Sequence, residues 1–286
     1  MKRKKYAEYD VDATFRKNVA DASEEQIDML LRTGRIKCSY ATKTITSGRQ
    51  VEIEIYPEFT RKQISSDSSI KKKRKVSQDN LNDKNSRKYL TRLINTNFSS
   101  GDIWVTLTYD DDHLPDSVER AVRNMQNYIR KINRIRKKRE LPKAKYIYIT
   151  ERGRKGRFHH HMIIDHVQTM DELESMWSYG RRNNTRKVRE DDQGLTGLAN
   201  YISKVPKDDR SKGQKRWNAS KGLKKPAVRK NHYEFSMKKI RKMTQDHNMV
   251  RAFIEKMRPG LRYIEDRCFF NEFNSRTYFY IRMSVP

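Results

Sequence analysis

The chain has 286 residues, with 64 Lys and Arg against 36 Asp and Glu, a formal net charge of +28 and a pI of about 10.0. At 35% hydrophobic residues and a mean hydropathy of −1.05 it can fill one modest core or two small ones, but it has no apolar run of about 20 residues for a membrane span. Two cysteines, Cys38 and Cys268, exclude a disulfide framework or a four-ligand zinc site. With no apolar leader after the opening MKRKKYAEYD, they suit a reducing cytoplasm. Charge of this size selects polyanionic partners through counterion release, yet it does not separate a packaging protein from an enzyme that cuts DNA.

In chain order, residues 1–59 read as an N-terminal extension. A basic start leads into a helix carrying Ile27, Leu30 and Leu31, and then a hairpin from Ile36 to Tyr56 turns at Ser47-Gly48. Residues 60–98 read as a polar, basic linker, with Lys71 to Lys75 as a solvated run that brushes phosphates. Residues 99–206 are the sharply patterned core, and 207–286 a basic C-terminal region for DNA recognition or oligomerisation. That last region carries a helix near Met237 to Met257 and an aromatic strand-like run from Cys268 to Met283.

Within the core, Ile103 to Tyr109 is β-branched and aromatic enough for a strand. Asp116 and Glu119 then outline a capping box for a helix with Val118, Val122, Met125, Ile129 and Ile132 on one side. Its other face carries Arg120, Arg123, Arg130, Arg134 and Arg136 to Arg139, a candidate phosphate contact. Lys145 to Thr150 and Phe158 to Asp165 form a hairpin across a basic turn holding Arg152, Arg154, Lys155 and Arg157. Thr169 caps a short helix, Arg186 to Glu190 is a short strand, and Leu195 to about Val205 a further helix. This β-α-β-β-α-β-α order predicts an α+β, ferredoxin-like (split βαβ) antiparallel sheet with helices on one face and basic N- and C-terminal extensions.

Three consecutive histidines carry the chemistry. On a strand, His159 and His161 share a face and His160 points oppositely. If hairpin partners have numbers summing to 310, Glu151 lies opposite His159 and joins both imidazoles on that face. Two nitrogens and a carboxylate suit Mg²⁺ or Mn²⁺ acting on a phosphate better than structural zinc. A nucleophile is offered by Tyr201, at the border of an apolar stripe formed by Leu195, Leu198, Ala199 and Ile202, with Lys204 three residues on. A phenol ionises near pH 10, so an adjacent ammonium and a bound cation would favour the attacking phenolate.

Together, Val105-Thr-Leu-Thr108, Glu151 with His159-His160-His161, and Tyr201 to Lys204 resemble the three ordered motifs of HUH endonucleases, specifically rolling-circle replication initiators. Thr106 to Pro115 and Gly156 to His161 are similar to replication proteins of small single-stranded DNA phages and related plasmids. The resemblance implies a sequence-specific nick in single-stranded or hairpin origin DNA and a covalent 5′-phosphotyrosine at Tyr201. It assigns the divalent metal to His159, His161 and Glu151, and the steadying of phenolate or phosphate to Lys204. Arg152, Arg154, Lys155, Arg157, Arg130, Arg134 and Lys207 are the expected DNA contacts. A host helicase and polymerase in a bacterial cytoplasm would complete replication, since no Gly-x-x-x-x-Gly-Lys-Ser/Thr loop occurs in the chain. A second protomer or water would finish the strand-transfer cycle. Two other readings stay open: a single-tyrosine transposase or relaxase, and a non-catalytic basic single-stranded-DNA-binding protein.

Overall fold

The structure, a computed structural model, describes residues 36–61, 76–153, 156–202, 217–271 and 276–286. The expected N-terminal helix, the Lys71 to Lys75 run, Arg154, Lys155, Lys204 and Lys207 lie outside the described residues. The chain divides into two compact units, residues 1–85 with 226–286, and residues 86–225. Both are built on antiparallel five-stranded sheets, giving the α+β class that the patterning predicts.

In the first unit, β1 (Ile36–Ser47) and β2 (Gln50–Arg61) form the expected hairpin. Gly48 takes a positive φ of 59° at the first of its two turn positions, where glycine is the residue that fits. The sheet is completed by β8 (Ala227–Asn231), β9 (Arg262–Asn271) and β10 (Arg276–Ser284), in the order β8-β1-β2-β10-β9. The helix expected near Met237 to Met257 is two helices, α5 (Met237–Gln245) and α6 (Asn248–Met257). They press Ile240, Met243, Val250 and Ile254 onto Ile53, Ile55, Phe279 and Ile281. The Cys268 to Met283 run is the β9–β10 hairpin.

Helix α1 (Val76–Asn97) leads into the second unit, where a polar linker was expected. The polar composition hides three residues at helical spacing, Leu90, Leu93 and Ile94, all buried and each worth roughly 1.5–3 kcal/mol. The sheet has the order β6-β3-β5-β4-β7, from β3 (Ile103–Thr108), β4 (Tyr146–Arg152), β5 (Phe158–Ile164), β6 (Asn184–Lys187) and the two-residue β7 (Asn218–Ala219). With β5 inserted antiparallel between β3 and β4, this is the split arrangement expected.

Helix α2 (Val118–Lys138) and helix α3 (Met170–Met176) cover one face, packing Met125, Ile129, Ile132 and Leu173 on Val105, Leu107, Met162 and Ile164. The cap of α2 is Ser117, whose hydroxyl accepts from the Arg120 N–H, rather than Asp116. Thr169 and Glu172 form a full capping box on α3. The opposite face is not open. There α1 and α4 (Thr196–Ile202) bury Leu90, Leu93, Ile94, Leu195, Ala199 and Ile202 against Trp104, Ile147, Ile149 and Ile163. Among the described residues no helix is long and apolar enough to cross a membrane.

Candidate metal centre and nucleophile

Alternation along β5 sends Phe158, His160 and Met162 to the α2 face, and His159, His161 and Ile163 to the α1 face. The β4–β5 register pairs Glu151 with His159 and Ile149 with His161, the pairing whose numbers sum to 310. Glu151 therefore shares the face of the two imidazoles. Its Oε2 lies 3.4 Å from His159 Nε2 and 3.7 Å from His161 Nε2, and the three ligand atoms all fall within 4.8 Å of one another.

These residues fit a divalent ion. The His159 imidazole holds the Glu151 carboxyl below its usual value against the cost of burial, so an anionic oxygen is available. Burial, reinforced by His159, pushes His161 down to about 4, which keeps its ring neutral and its lone pair free. His161 Nδ1 lies 3.2 Å from Thr106 Oγ1 on β3. A proton on Nδ1 donated to that hydroxyl leaves Nε2 as the ligating nitrogen. Two nitrogens and one oxygen leave coordination positions for a phosphate.

Tyr201 meets this triad from α4. The start of that helix is held by Asn95 of α1, whose buried side chain accepts from the Leu195 N–H at 2.7 Å and donates to Thr196 Oγ1 at 3.4 Å. Leu195, Ala199 and Ile202 anchor the helix in the core, which leaves Tyr201 at the border and 55% exposed. Its ring sits edge-on to His161 at a centroid distance of 5.6 Å and edge-on to Trp104 at 6.2 Å. Trp104 in turn stacks on His161 at 5.3 Å. One buried indole thus backs both a metal ligand and the candidate nucleophile.

A family model describing replication-associated proteins of the ORF2 and gene 2 protein type matches residues 102–206. No curated protein and no solved structure matches the chain. The matched stretch runs from the start of β3 past Tyr201, and so takes in the triad, its Thr106 support and the tyrosine helix. It supports a role in DNA replication for this unit.

The expected DNA contacts scatter. Arg152 faces away from the triad, donating to the Gly156 carbonyl at 3.0 Å and lying over the Phe158 ring. Arg157 is tied to Asp111 and to the Tyr109 carbonyl. Arg130 and Arg134 are exposed on α2, across the sheet from the triad. Arg136, read as part of that basic face, is fully buried and bound to Asp165 and Gln168, because it lies on the sheet side of the helix. Of the aromatics expected to stack on bases, Phe235 and Phe279 are core, while Tyr233 is 94% exposed.

Sequence reasoning passed over Thr106, Trp104, Asn95 and Arg186. Arg186 on β6 pairs with Trp104 and so faces the triad side, where its charge further lowers His161. The period-2 pattern of β3 could have placed Thr106 and Trp104 on that face. Nothing local marks Asn95 or Arg186.

Proposed function

We propose that this protein initiates rolling-circle replication by sequence-specific nicking and joining of single-stranded origin DNA, as an HUH-type endonuclease with Tyr201 as nucleophile. The observation that carries the reading is the Tyr201 ring beside His161, over a face where Glu151, His159 and His161 converge. A Mg²⁺ or Mn²⁺ ion held by those three residues would polarise a non-bridging oxygen of the scissile phosphate. The Tyr201 phenol gives up its proton and its oxygen bonds to phosphorus. The bond to the 3′ oxygen breaks, and that oxygen takes up a proton to become the primer hydroxyl. Because one phosphodiester replaces another, the reverse attack can rejoin ends without ATP. Arg186 stands on the same face to offset phosphate charge, and Trp104 fixes the ring positions. The order of the motifs, with Tyr201 following the histidines, favours an initiator over a relaxase.

The test incubates protein and Tyr201→Phe with labelled single-stranded oligonucleotides, including hairpins, in Mn²⁺, followed by denaturing electrophoresis. Label retained on the protein band, and lost with Tyr201→Phe and with EDTA, is the expected result. Tight binding that survives Tyr201→Phe with no covalent band from any oligonucleotide, the element's own origin included, would instead make this a non-catalytic single-strand-binding protein.

A further inference from the structure

The triad occupies one face of the second unit's sheet, and α2 rides on the other. Its 21 residues make a rod about 31 Å long. The buried residues Ala121, Asn124, Met125, Tyr128, Ile129, Ile132 and Arg136 define the side toward the sheet. At about 100° per residue, Arg120, Arg123, Arg130, Arg134, Lys137 and Lys138 fall on a single arc of about 100° on the far side. All six are exposed, and among the described residues none is in an ion pair or a side-chain hydrogen bond. The contrast with Arg136 and Arg139 is informative, since those two are held by Asp165 and Glu172. Glu119 in the first turn is the one acid in the helix.

A merely solvated helix usually alternates its signs, because like charges three and four residues apart repel. Here the repulsion along the stripe is uncompensated, so an external polyanion is the partner that relieves it. The remaining exposed residues of the helix, such as Gln126 and Asn127, are polar and include no aromatic. Single-strand sites combine cations with aromatic platforms for the bases, whereas contact with phosphates alone suits a duplex. A rod of about 31 Å also matches about one turn of a straight double helix.

We propose that the outer face of α2 is a track for duplex DNA, on the opposite side of the sheet from the nicking site. The duplex it holds is therefore a segment other than the strand at Tyr201, such as the stem or flank that presents the scissile strand. The proposal concerns phosphate contacts alone and stands or falls independently of the covalent chemistry.

The test measures binding of a 20-base-pair duplex and of a dT20 strand by fluorescence anisotropy as a function of NaCl. It compares the wild type with the quadruple variant Arg120→Gln, Arg123→Gln, Arg130→Gln, Arg134→Gln. A charge-matched control carries Lys238→Gln, Arg241→Gln, Lys242→Gln, Lys256→Gln on the first unit, and circular dichroism checks that both are folded. Four lost phosphate contacts should make the slope of log affinity against log salt shallower by up to about 3.6 on the duplex. The control should barely change it, and dT20 binding should lose less than duplex binding. Equal losses in the two variants would reduce the stripe to general charge, and an unchanged slope would make it a solvated face. A larger loss on dT20 would overturn the assignment to duplex.

Discussion

The two faces of one strand receive the same side chain, within three consecutive residues, and put it to opposite use. His159 and His161 look toward α1 and α4, where they meet a carboxylate, a tyrosine and room for a ligand. His160 looks toward α2 and α3, is 0% exposed, and is boxed by Tyr109, Tyr148 and Trp177. There Nε2 lies 2.8 Å from Tyr109 Oη and Nδ1 lies 2.9 Å from Thr150 Oγ1, so both nitrogens are satisfied. A His-His-His run could in principle slip by one residue and exchange its faces, and an apolar side chain between the two ligands would only weakly resist. The bond pair at His160 ties β5 to Thr150 on β4 and to Tyr109 beyond β3. It thereby fixes which imidazoles face the metal. The polar group inside the core sets the register that the outer group uses.

The sharpest way to break the comparison is to disable one face alone. Glu151→Gln keeps shape and removes the anion between the imidazoles. Cleavage should fall at least about a hundredfold, with Mn²⁺ affinity falling in parallel, while the unfolding midpoint moves by under about 0.5 kcal/mol. The side chain is half-buried and no core contact depends on its charge. Titration calorimetry with Mn²⁺ and a denaturant melt check the two halves, and unaltered metal binding would remove Glu151 from the centre.

On the other face the expected signature is reversed. His160→Ala leaves a cavity and orphans the Tyr109 and Thr150 hydroxyls, a loss of about 3 kcal/mol in urea unfolding. Tyr109→Phe, which removes one partner, should cost about 1–2 kcal/mol. If the register argument holds, His160→Ala also loosens Mn²⁺ binding although His160 touches no ligand atom. A variant that melts early yet binds Mn²⁺ normally would confine His160 to packing.

The pH dependence sharpens the same contrast. Burial first, then the neighbouring His159 and His161, push His160 down to about 3 from an ordinary 6.5. In the unfolded chain the ring binds a proton below about 6.5, whereas in the fold it stays neutral until about 3. Its contribution is therefore complete above pH 6.5 and lost as pH falls through the window from 6.5 to about 3. The slope approaches about 1.4 kcal/mol per pH unit for one proton. Urea midpoints in EDTA at pH 7.0 and 5.0 should separate, and His160→Leu should remove about one proton's worth of that difference. An identical pH slope in the variant would refute the assignment.

What the sequence made legible follows from which signals are local. Strand alternation and a basic turn with two glycines were enough to place Glu151 opposite His159. The apolar stripe of α4 placed Tyr201 at the helix border. The second helical layer was not legible, because α1 has only Leu90, Leu93 and Ile94 among many polar residues, and tertiary packing stabilises it. For the same reason Asn95, inside that stretch, gave no hint that it would clamp the start of the tyrosine helix. Composition also could not tell Arg136 from Arg134, since their difference is one of azimuth on a helix whose buried side is set by the sheet.

The smallest effect separates ligand from support. Thr106 sits beside His161 on β3, in register with it, and its hydroxyl is placed to accept the Nδ1 proton. Thr106→Val preserves the β-branched shape, so strand and core should be nearly indifferent, with a stability change within about 1 kcal/mol. What changes is the orientation and tautomer of the imidazole, and such partners typically carry roughly 10- to 100-fold in metal affinity. Mn²⁺ affinity should fall by roughly tenfold, and saturating Mn²⁺ should restore most of the cleavage rate. Thr106→Ser keeps the hydroxyl and should recover most of the affinity. This isolates the hydrogen bond from the methyl group. If Thr106→Val and Thr106→Ser weaken Mn²⁺ equally, the methyl contact positions His161, and the tautomer argument fails while the triad itself stands.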